Sequence, residues 1–467
     1  MRQIGHLLSR SGVRAREALV ALALCALGIF GAGCAGPARQ LHPLSGDEFS
    51  VFAPDRRTPP PPACKGSFDE RCACFTRELE QQSQSLEVGG AFAIVAPDGE
   101  LRSFVRSDAL NQAAPITPDT RFPAASVTKM FLAAAAVALS QEGLVDLQQP
   151  ISRYVPELAS APVGSTSLHQ LLTHTSGLGS PPQCEQPSDD LADVLSEHAS
   201  RRLLAPPGAV HNYSNLGYAF VAIVLERVTG QSFEQVVRSR VLVPAGIPGA
   251  RFGFEGLAVR GHAPDGAEVM PRCRAMWPSG GLVLSIRELA QWARVVAHPG
   301  SSRLEPLVAT LIAPHVRTGE RFAYGYGVQQ LDQSGALVYS HGGRLENFTA
   351  FVGWSHGLAV AAFANSNEPY PVVAGYRALS TFLSLSADWQ GPPGPAHGLG
   401  AYPGLYVDPA GTLGRLRVSR EGDGLMIDYP DGDPSLLPAS FRFVFEPGAH
   451  RARYVVTPIG VGERRGD

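Results

Sequence analysis

The chain has 467 residues, of which 44% are hydrophobic and 17% charged, and its formal net charge is −3. This length predicts one main domain with smaller attached parts, because a single core rarely grows beyond about 300 residues. The charge is nearly balanced and the sequence has no basic run beyond the N-terminus, which argues against nucleic acid as a partner.

The N-terminus has the layout of an export signal. Arginines precede an uncharged apolar stretch at 18–33, which ends at Cys34. This stretch is shorter than the roughly 20 residues of a membrane-spanning helix, so we expect residues 1–33 to be a signal peptide. The small residues before Cys34 resemble a bacterial lipoprotein cleavage site, at which Cys34 would carry the lipid; ordinary signal cleavage nearby is the alternative. We therefore expect an exported protein on the periplasmic side, lipid-anchored to the bacterial outer membrane.

The cysteines of the exported part predict disulfides. They lie at positions 64, 72, 74, 184 and 273, and their odd number leaves at least one thiol outside any intramolecular pair. We expect a disulfide between Cys184 and Cys273, since both lie in loop-like sequence, and a second one between Cys64 and either Cys72 or Cys74. A zinc site is disfavoured because the spacing of the first three cysteines fits no common structural zinc motif.

Composition divides the rest of the chain into a linker, a main domain and a small C-terminal unit. Residues 34–74 are rich in proline and polar residues and predict a linker, and compact sequence follows over 75–390. Residues 392–467 predict a second linker and a small antiparallel β unit with turn pairs such as Asp423-Gly424. The elements predicted for the main domain are a hairpin turning at Asp98-Gly99, a helix from Ser126 to about Gln141, helices at 214–229 and from Ser232, and adjacent strands joined at His356-Gly357.

A lysine at the start of the first of these helices suggests nucleophilic chemistry. The 39 basic residues include only two lysines, Lys65 and Lys129, and Lys129 follows Ser126 by about one helical turn. Backbone N–H groups at a helix N-terminus favour negative charge developing on the serine. Burial lowers the pKa of a lysine toward neutrality, whereas an arginine stays protonated. The pair therefore predicts a serine nucleophile whose base is an amine, although S-x-x-K alone also fits a capped helix with a surface lysine.

Further motifs downstream identify a family. Tyr213 and Asn215 lie in HNYSNLGYAF, and His341 opens the segment HGGR. S-x-x-K, Y-x-N and H-G-G in this order resemble the serine β-lactamase and penicillin-binding-protein superfamily. The stretches LLTHTSGL, SGGLVLS and YGYGV resemble its class C-like branch, which includes class C β-lactamases, D-alanyl-D-alanine carboxypeptidases and β-lactamase-like esterases. The resemblance spans roughly residues 83–385.

The resemblance implies roles for individual residues. Ser126 would be the acylated nucleophile, Lys129 would exchange protons with it, and Tyr213 would be the base or its relay. A tyrosine base needs cationic neighbours, and Lys129 and His341 are the expected ones. His341 stands where many relatives have the lysine of K-T-G, and an ordinary histidine pKa near 6.5 leaves it only partly charged at neutral pH. We expect His174, in LLTHTSGL, to be structural.

The substrate would be held by residues on both sides of the nucleophile. Asn215 would contact the substrate's amide or carbonyl group, and the strand-end segment His341-Gly342-Gly343 would line the site. Arg344 follows this segment and would add a cation beside it. The backbone N–H groups of Ser126 and Arg344 would form the oxyanion hole.

The fold that the resemblance implies is α+β, an antiparallel sheet flanked by helices with a helical subdomain and the site between them. The C-terminal unit resembles a lipocalin-like appendage, which would gate the site or serve as structural padding. The implied function is a serine hydrolase that acts through an acyl-enzyme on an ester or amide in the cell envelope, with no metal or cofactor. A D-alanyl-D-alanine carboxypeptidase, a β-lactamase and a non-catalytic envelope protein are the alternatives. The substrate would be a small molecule or derived from peptidoglycan, and the oligomeric state stays open.

Overall fold

The structure of the chain is a computed structural model, which describes part of the sequence. The described residues are 38–43, 64–85, 87–111, 114–179, 190–262, 273–318, 322–333, 336–345, 347–366, 374–375, 378–379, 382, 401–407, 415–421, 424–429, 442–444, 450–457 and 460–465. The predicted signal peptide and the lipidation residue Cys34 lie outside this set. Among the described helices, none is both long enough and apolar enough to cross a membrane.

The described strands form three antiparallel sheets. In chain order the strands are β1 (Ala38–Pro43), β2 (Gly90–Val95), β3 (Leu101–Arg106), β4 (Arg121–Pro123), β5 (Arg251–Phe252), β6 (Leu282–Ser285), β7 (Val316–Arg317), β8 (Phe322–Tyr324), β9 (Gln329–Gln333), β10 (Ala336–Leu345), β11 (Phe348–Ser355), β12 (Leu358–Ala364), β13 (Gly404–Val407), β14 (Arg415–Glu421), β15 (Gly424–Tyr429), β16 (Arg442–Val444), β17 (Tyr454–Thr457) and β18 (Gly460–Arg464). The main sheet has the order β3-β2-β12-β11-β10-β9-β8-β7, and a short sheet has the order β4-β6-β5.

The centre of the main sheet is buried on both faces. Every described residue of β11 and β12 is buried, which explains why their sequence is a nearly continuous apolar run. The two strands form a hairpin at His356 and Gly357, which both have positive φ angles, as a tight hairpin turn requires. Alternate residues of β2 belong to different core clusters, Ala91 and Ala93 to one and Phe92 and Ile94 to the other, because successive side chains point to opposite faces. The strands predicted around His356-Gly357 are confirmed.

Helices cover the two faces of this sheet and form the helical subdomain. The described α-helices are α1 (Phe68–Ser85), α2 (Thr128–Gln141), α3 (Leu168–Leu172), α4 (Leu191–His198), α5 (Asn215–Thr229), α6 (Phe233–Val237), α7 (Trp277–Gly280), α8 (Ile286–Ala297) and α9 (Glu305–Leu311). Helix α2 is buried almost all round, as its alanine-rich apolar sequence requires. Helix α5 is capped by Ser214 and ends at Gly230, whose φ is +66°. The predicted helix boundaries agree with the structure to within two residues.

The C-terminal unit is the third sheet, with the order β1-β15-β14-β13-β18-β17-β16 among the described strands. Strand β1 pairs with β15 over Ala38–Pro43, so this sheet recruits a strand from a segment predicted as linker. Helix α1 begins at Phe68, inside the same predicted linker. The mixed architecture is the α+β arrangement predicted from the sequence, with an added C-terminal antiparallel sheet.

The described cysteines settle one of the open pairings. Cys64 and Cys74 form a disulfide with a Cα–Cα distance of 5.7 Å. Cys72 is a buried free thiol, and burial raises its pKa to about 11. Cys273 is disulfide-bonded, and its expected partner Cys184 lies outside the described residues.

Candidate active site

Ser126 lies on a strained turn between strand β4 and helix α2. The turn is a 3₁₀ helix over Ala125–Val127, and Ala125 has φ = 47°, a left-handed conformation that residues other than glycine rarely adopt. Strand β10 packs directly on this turn at Gly343. A Cβ atom at position 343 would lie 2.4 Å from the carbonyl oxygen of Ala124 and 3.1 Å from the amide nitrogen of Ser126. Glycine is therefore required at 343 for the strand to approach the serine this closely.

Lys129 is fully buried beneath Ser126. Its Nζ lies 3.2 Å from Ser126 Oγ, 2.7 Å from Asn215 Oδ1 and 2.9 Å from the carbonyl oxygen of Ser279. Burial holds the pKa of Lys129 well below the ordinary lysine value of 10.5, because the buried amine loses the water that would stabilise its charge. A neutral amine has two N–H donors and one lone pair. In the neutral form, donation to Asn215 and Ser279 would leave the lone pair for the hydroxyl proton of Ser126.

Tyr213 lies on the other side of the serine with its hydroxyl buried. Lys129 Nζ sits 4.8 Å from the centre of the tyrosine ring. The hydroxyl has no hydrogen-bond partner among the described residues. Burial raises the pKa of Tyr213, and the nearby Ser126 opposes this rise only in part. The expectation that cationic neighbours lower this pKa is therefore wrong for the protein without substrate.

Asn215 is the first residue of helix α5 and contacts Lys129. Its Oδ1 accepts a hydrogen bond from Lys129 Nζ. The preceding residue, Ser214, caps the helix by accepting a hydrogen bond from the amide of Gly217 at 3.1 Å. The Y-S-N motif thus fixes Tyr213 and Asn215 through one helix start.

His341 differs from its expected electrostatic state. It is fully buried, its Nδ1 lies 2.6 Å from the carbonyl oxygen of Gly342, and its Nε2 lies 3.2 Å from the hydroxyl of Tyr324. Burial, and then the charge of Lys129, lower the pKa of His341 to about 3. The prediction of a partly charged histidine is therefore wrong, because the sequence gives no measure of burial. A neutral imidazole occupies the position of the usual lysine.

Strand β10 carries the remaining predicted site residues. Gly342 and Gly343 are buried beside the Ser126 turn, whereas Arg344 is exposed as the strand leaves the core. Arg344 pairs with Thr349 across the β10–β11 ladder. The structure thus brings the backbone of residues 343–344 next to the Ser126 amide, where the expected oxyanion hole would lie.

The sequence analysis named His174 only as a structural residue and did not single out Tyr324. Both are buried, and Tyr324 joins His174 to His341 through its hydroxyl. The ring of His174 lies 4.2 Å from that of Tyr213, centre to centre. The stretches LLTHTSGL and YGYGV contain these residues, but neither motif reveals that the two meet.

The chain is similar to known proteins in sequence and in fold. The protein is 24% identical over 313 residues to the protein flp of Staphylococcus aureus strain MW2, a match that covers 62% of each chain. The chain thus spans less than two thirds of the length of that relative. Among solved structures, SurE with D-Leu matches 84% of this chain and 99% of its own with a TM-score of 0.63 and 23% identity. The D-alanine carboxypeptidase AmpC of Burkholderia cenocepacia matches 68% of this chain and 100% of its own, with a TM-score of 0.60 and 20% identity.

These structural matches show that the chain shares the fold of these two proteins. The sequence profile of the Beta-lactamase family matches residues 75–381, which is most of the chain. The protein belongs to the Beta-lactamase family.

Proposed function

We propose that the protein is a serine hydrolase that forms an acyl-enzyme on Ser126 with an ester or amide substrate. The observation that carries this proposal is the buried Lys129 amine, whose Nζ lies 3.2 Å from Ser126 Oγ and whose pKa burial lowers. A surface lysine beside a helix cap would be exposed and charged, whereas this one is buried and uses its other contacts on two oxygen acceptors. An arginine in its place would remain protonated.

The reaction would proceed in two halves. Lys129 takes the proton of Ser126 as Oγ bonds to the substrate's carbonyl carbon, and the backbone N–H groups of Ser126 and Arg344 hold the oxyanion. The bond to the leaving group breaks as that group receives a proton by way of Tyr213. A water molecule then attacks the acyl carbon, the bond from this carbon to Ser126 Oγ breaks, Oγ takes back the proton that the water loses, and the acid leaves. The unpartnered hydroxyl of Tyr213 is available for this proton transfer once a substrate reaches it.

The substrate would be a small-molecule ester or amide of the cell envelope. The neutral state of His341 favours an esterase over enzymes that need a fixed cation at this position. A D-alanyl-D-alanine carboxypeptidase, a β-lactamase and a non-catalytic binding protein are the competing functions.

Two activity probes separate these functions. A fluorophosphonate and a fluorescent penicillin are applied to the wild type, to Ser126→Ala, and to Ser140→Ala as a matched control at the other end of helix α2. We expect fluorophosphonate labelling of the wild type and of Ser140→Ala but not of Ser126→Ala. Labelling by the penicillin as well would support a peptidase or β-lactamase, and the absence of both labels would overturn the enzymatic proposal. A panel of p-nitrophenyl esters, a chromogenic cephalosporin and a D-Ala-D-Ala peptide then identifies the substrate class.

We also propose that the protein is exported and lipid-anchored through Cys34. The Cys64–Cys74 disulfide supports a compartment in which thiols become oxidised. Metabolic labelling with a palmitate analogue tests the anchor. Incorporation in the wild type but not in Cys34→Ser is the expected result, and equal incorporation would contradict it.

A further inference from the structure

A buried row of three side chains connects the turn after helix α3 to strand β10. His174, Tyr324 and His341 are each at most 2% exposed. The Tyr324 hydroxyl lies 3.2 Å from Nε2 of His174 and 3.2 Å from Nε2 of His341. The hydrogen-bond partners at the two ends of this row determine which ring nitrogen of each histidine carries the proton.

At the His174 end the partner is an obligate donor. The amide of Ser214 donates a hydrogen bond to Nδ1 of His174 over 3.1 Å. Nδ1 therefore carries a lone pair, and the ring's proton must be on Nε2. His174 then donates from Nε2 to the oxygen of Tyr324.

At the His341 end the partner is an obligate acceptor. Nδ1 of His341 lies 2.6 Å from the carbonyl oxygen of Gly342, so Nδ1 carries the proton. The hydroxyl of Tyr324 accepts from His174, and its own proton faces Nε2 of His341 and the neighbouring Tyr218 hydroxyl. The row is thus a directional hydrogen-bond chain in which both imidazoles are neutral.

His174 also holds the backbone on both sides of Tyr213. Its carbonyl oxygen accepts a hydrogen bond from the amide of Asn212 over 2.7 Å, and its ring accepts the one from Ser214. Its φ of +59° is a strained conformation for a histidine. This strain brings the carbonyl and the ring to the same short segment, so the position of Tyr213 beside Ser126 depends on His174.

We propose that His174 and Tyr324 are positioning residues that hold Tyr213 beside Ser126 and keep His341 a neutral hydrogen-bond acceptor, so that the site favours acyl groups without a carboxylate. The preference for uncharged acyl groups rests on the proposed function, whereas the hydrogen-bond chain does not. As a consequence, three buried residues, and not His341 alone, keep the position of His341 without a positive charge.

The charged and titratable surroundings agree with a neutral chain. The groups that face it are Lys129, His211, Tyr213 and Tyr218. Burial lowers the pKa of both His174 and His341, and the charge of Lys129 acts in the same direction on each. The described neighbours include no carboxylate acting on either ring's pKa, and the backbone hydrogen bonds that raise these pKa values, at Ser214 and Gly342, have less effect than burial and the nearby charges.

Histidine NMR tests the chain without any substrate. In protein labelled with ¹⁵N-histidine, the long-range proton–nitrogen spectrum distinguishes the two neutral tautomers and the cation, and His174→Gln and His341→Gln assign the signals. We expect the Nε2–H form for His174 and the Nδ1–H form for His341, unchanged from about pH 5 to about pH 8, where an ordinary histidine titrates. Titration of either ring in this range, or the opposite tautomer, would overturn the proposal.

Kinetics of Tyr324→Phe test the consequence for the site. This variant removes one hydroxyl and keeps the ring. Tyr326→Phe is the matched control. Tyr326 lies two residues after Tyr324, and its hydroxyl is also hydrogen-bonded to a histidine, 2.9 Å from Nδ1 of His169. We expect Tyr324→Phe to lower kcat about tenfold with little change in KM, an effect equal to one lost hydrogen bond. We also expect it to reduce the preference for a neutral ester over the same ester with a carboxylate.

The outcomes separate this inference from the proposed function. Complete fluorophosphonate labelling of Tyr324→Phe shows that Ser126 remains a nucleophile, so a lower kcat then reflects positioning. Equal kinetics in the two tyrosine variants would overturn the positioning role. A wild type that accepts no acyl group would overturn the proposed function and the acyl preference with it, and the tautomers would still decide the hydrogen-bond chain.

Discussion

Replacing Gly343 by alanine tests whether strand β10 holds the Ser126 turn in its reactive geometry. The new Cβ would lie 2.4 Å from the carbonyl oxygen of Ala124, whereas ordinary contacts begin at 3.4 Å. Strand and turn must therefore separate by about 1 Å, a displacement that costs about 10²-fold when it occurs in a catalytic geometry. Overpacking of this kind also lowers the free energy of unfolding by about 1–3 kcal/mol.

The assay is the rate of fluorophosphonate labelling, with the melting temperature measured in parallel. We expect labelling of Gly343→Ala to be about a hundredfold slower than that of the wild type. Gly300→Ala is the control, because a Cβ at position 300 would meet no atom within 4 Å, and both of its values should stay unchanged. A Gly343→Ala protein that labels at the wild-type rate would refute the reasoning, even if its melting temperature falls.

Four further predictions concern charged groups. Lys129→Arg should slow acylation by about 10²–10⁴-fold, as expected for loss of a general base, while Lys65→Arg should label normally; equal rates would contradict the assignment. The pKa of Lys129 lies below 10.5, so the native state binds fewer protons than the unfolded chain and urea denaturation should show stability rising with pH from neutrality toward that value. Lys129→Met should abolish this slope, and a slope that persists would assign it to other groups. Arg344→Ala should lower the rate ratio of anionic to neutral esters, and an unchanged ratio would exclude Arg344 from substrate binding. Asp108→Ala should lower the free energy of unfolding, measured by urea denaturation, by about 1–3 kcal/mol, because the buried carboxylate of Asp108 accepts hydrogen bonds from Asn365 and two other side chains. A variant as stable as the wild type would refute this.

Local sequence rules predicted much of the fold. Gly230 ends helix α5 and Ser232 begins helix α6 with a capping box, as the sequence indicates. The hairpin at His356-Gly357 follows from its turn residues. These features depend on a few neighbouring residues, so a single sequence is enough to place them.

The electrostatics of the site could not be predicted in the same way. The expected charges of His341 and Tyr213 assumed partial exposure to water, and both groups are buried. Burial results from packing between segments far apart in the sequence, such as His174 and Tyr324, which are 150 residues apart. The same reason explains why strand β1 was expected to be linker, since its pairing partner β15 lies near the other end of the chain.

The reactivity of the two lysines can report how often reagents reach the Ser126 site. Lys65 is exposed and Lys129 is fully buried, and all other basic side chains, histidines aside, are arginines. A reagent that modifies lysine amines should therefore react first at Lys65 in the native protein. Burial lowers the pKa of the Lys129 amine and so favours its uncharged, nucleophilic form, and modification of this amine would report openings of the site. The arginine-rich composition thus turns ordinary amine chemistry into a measurement of active-site dynamics.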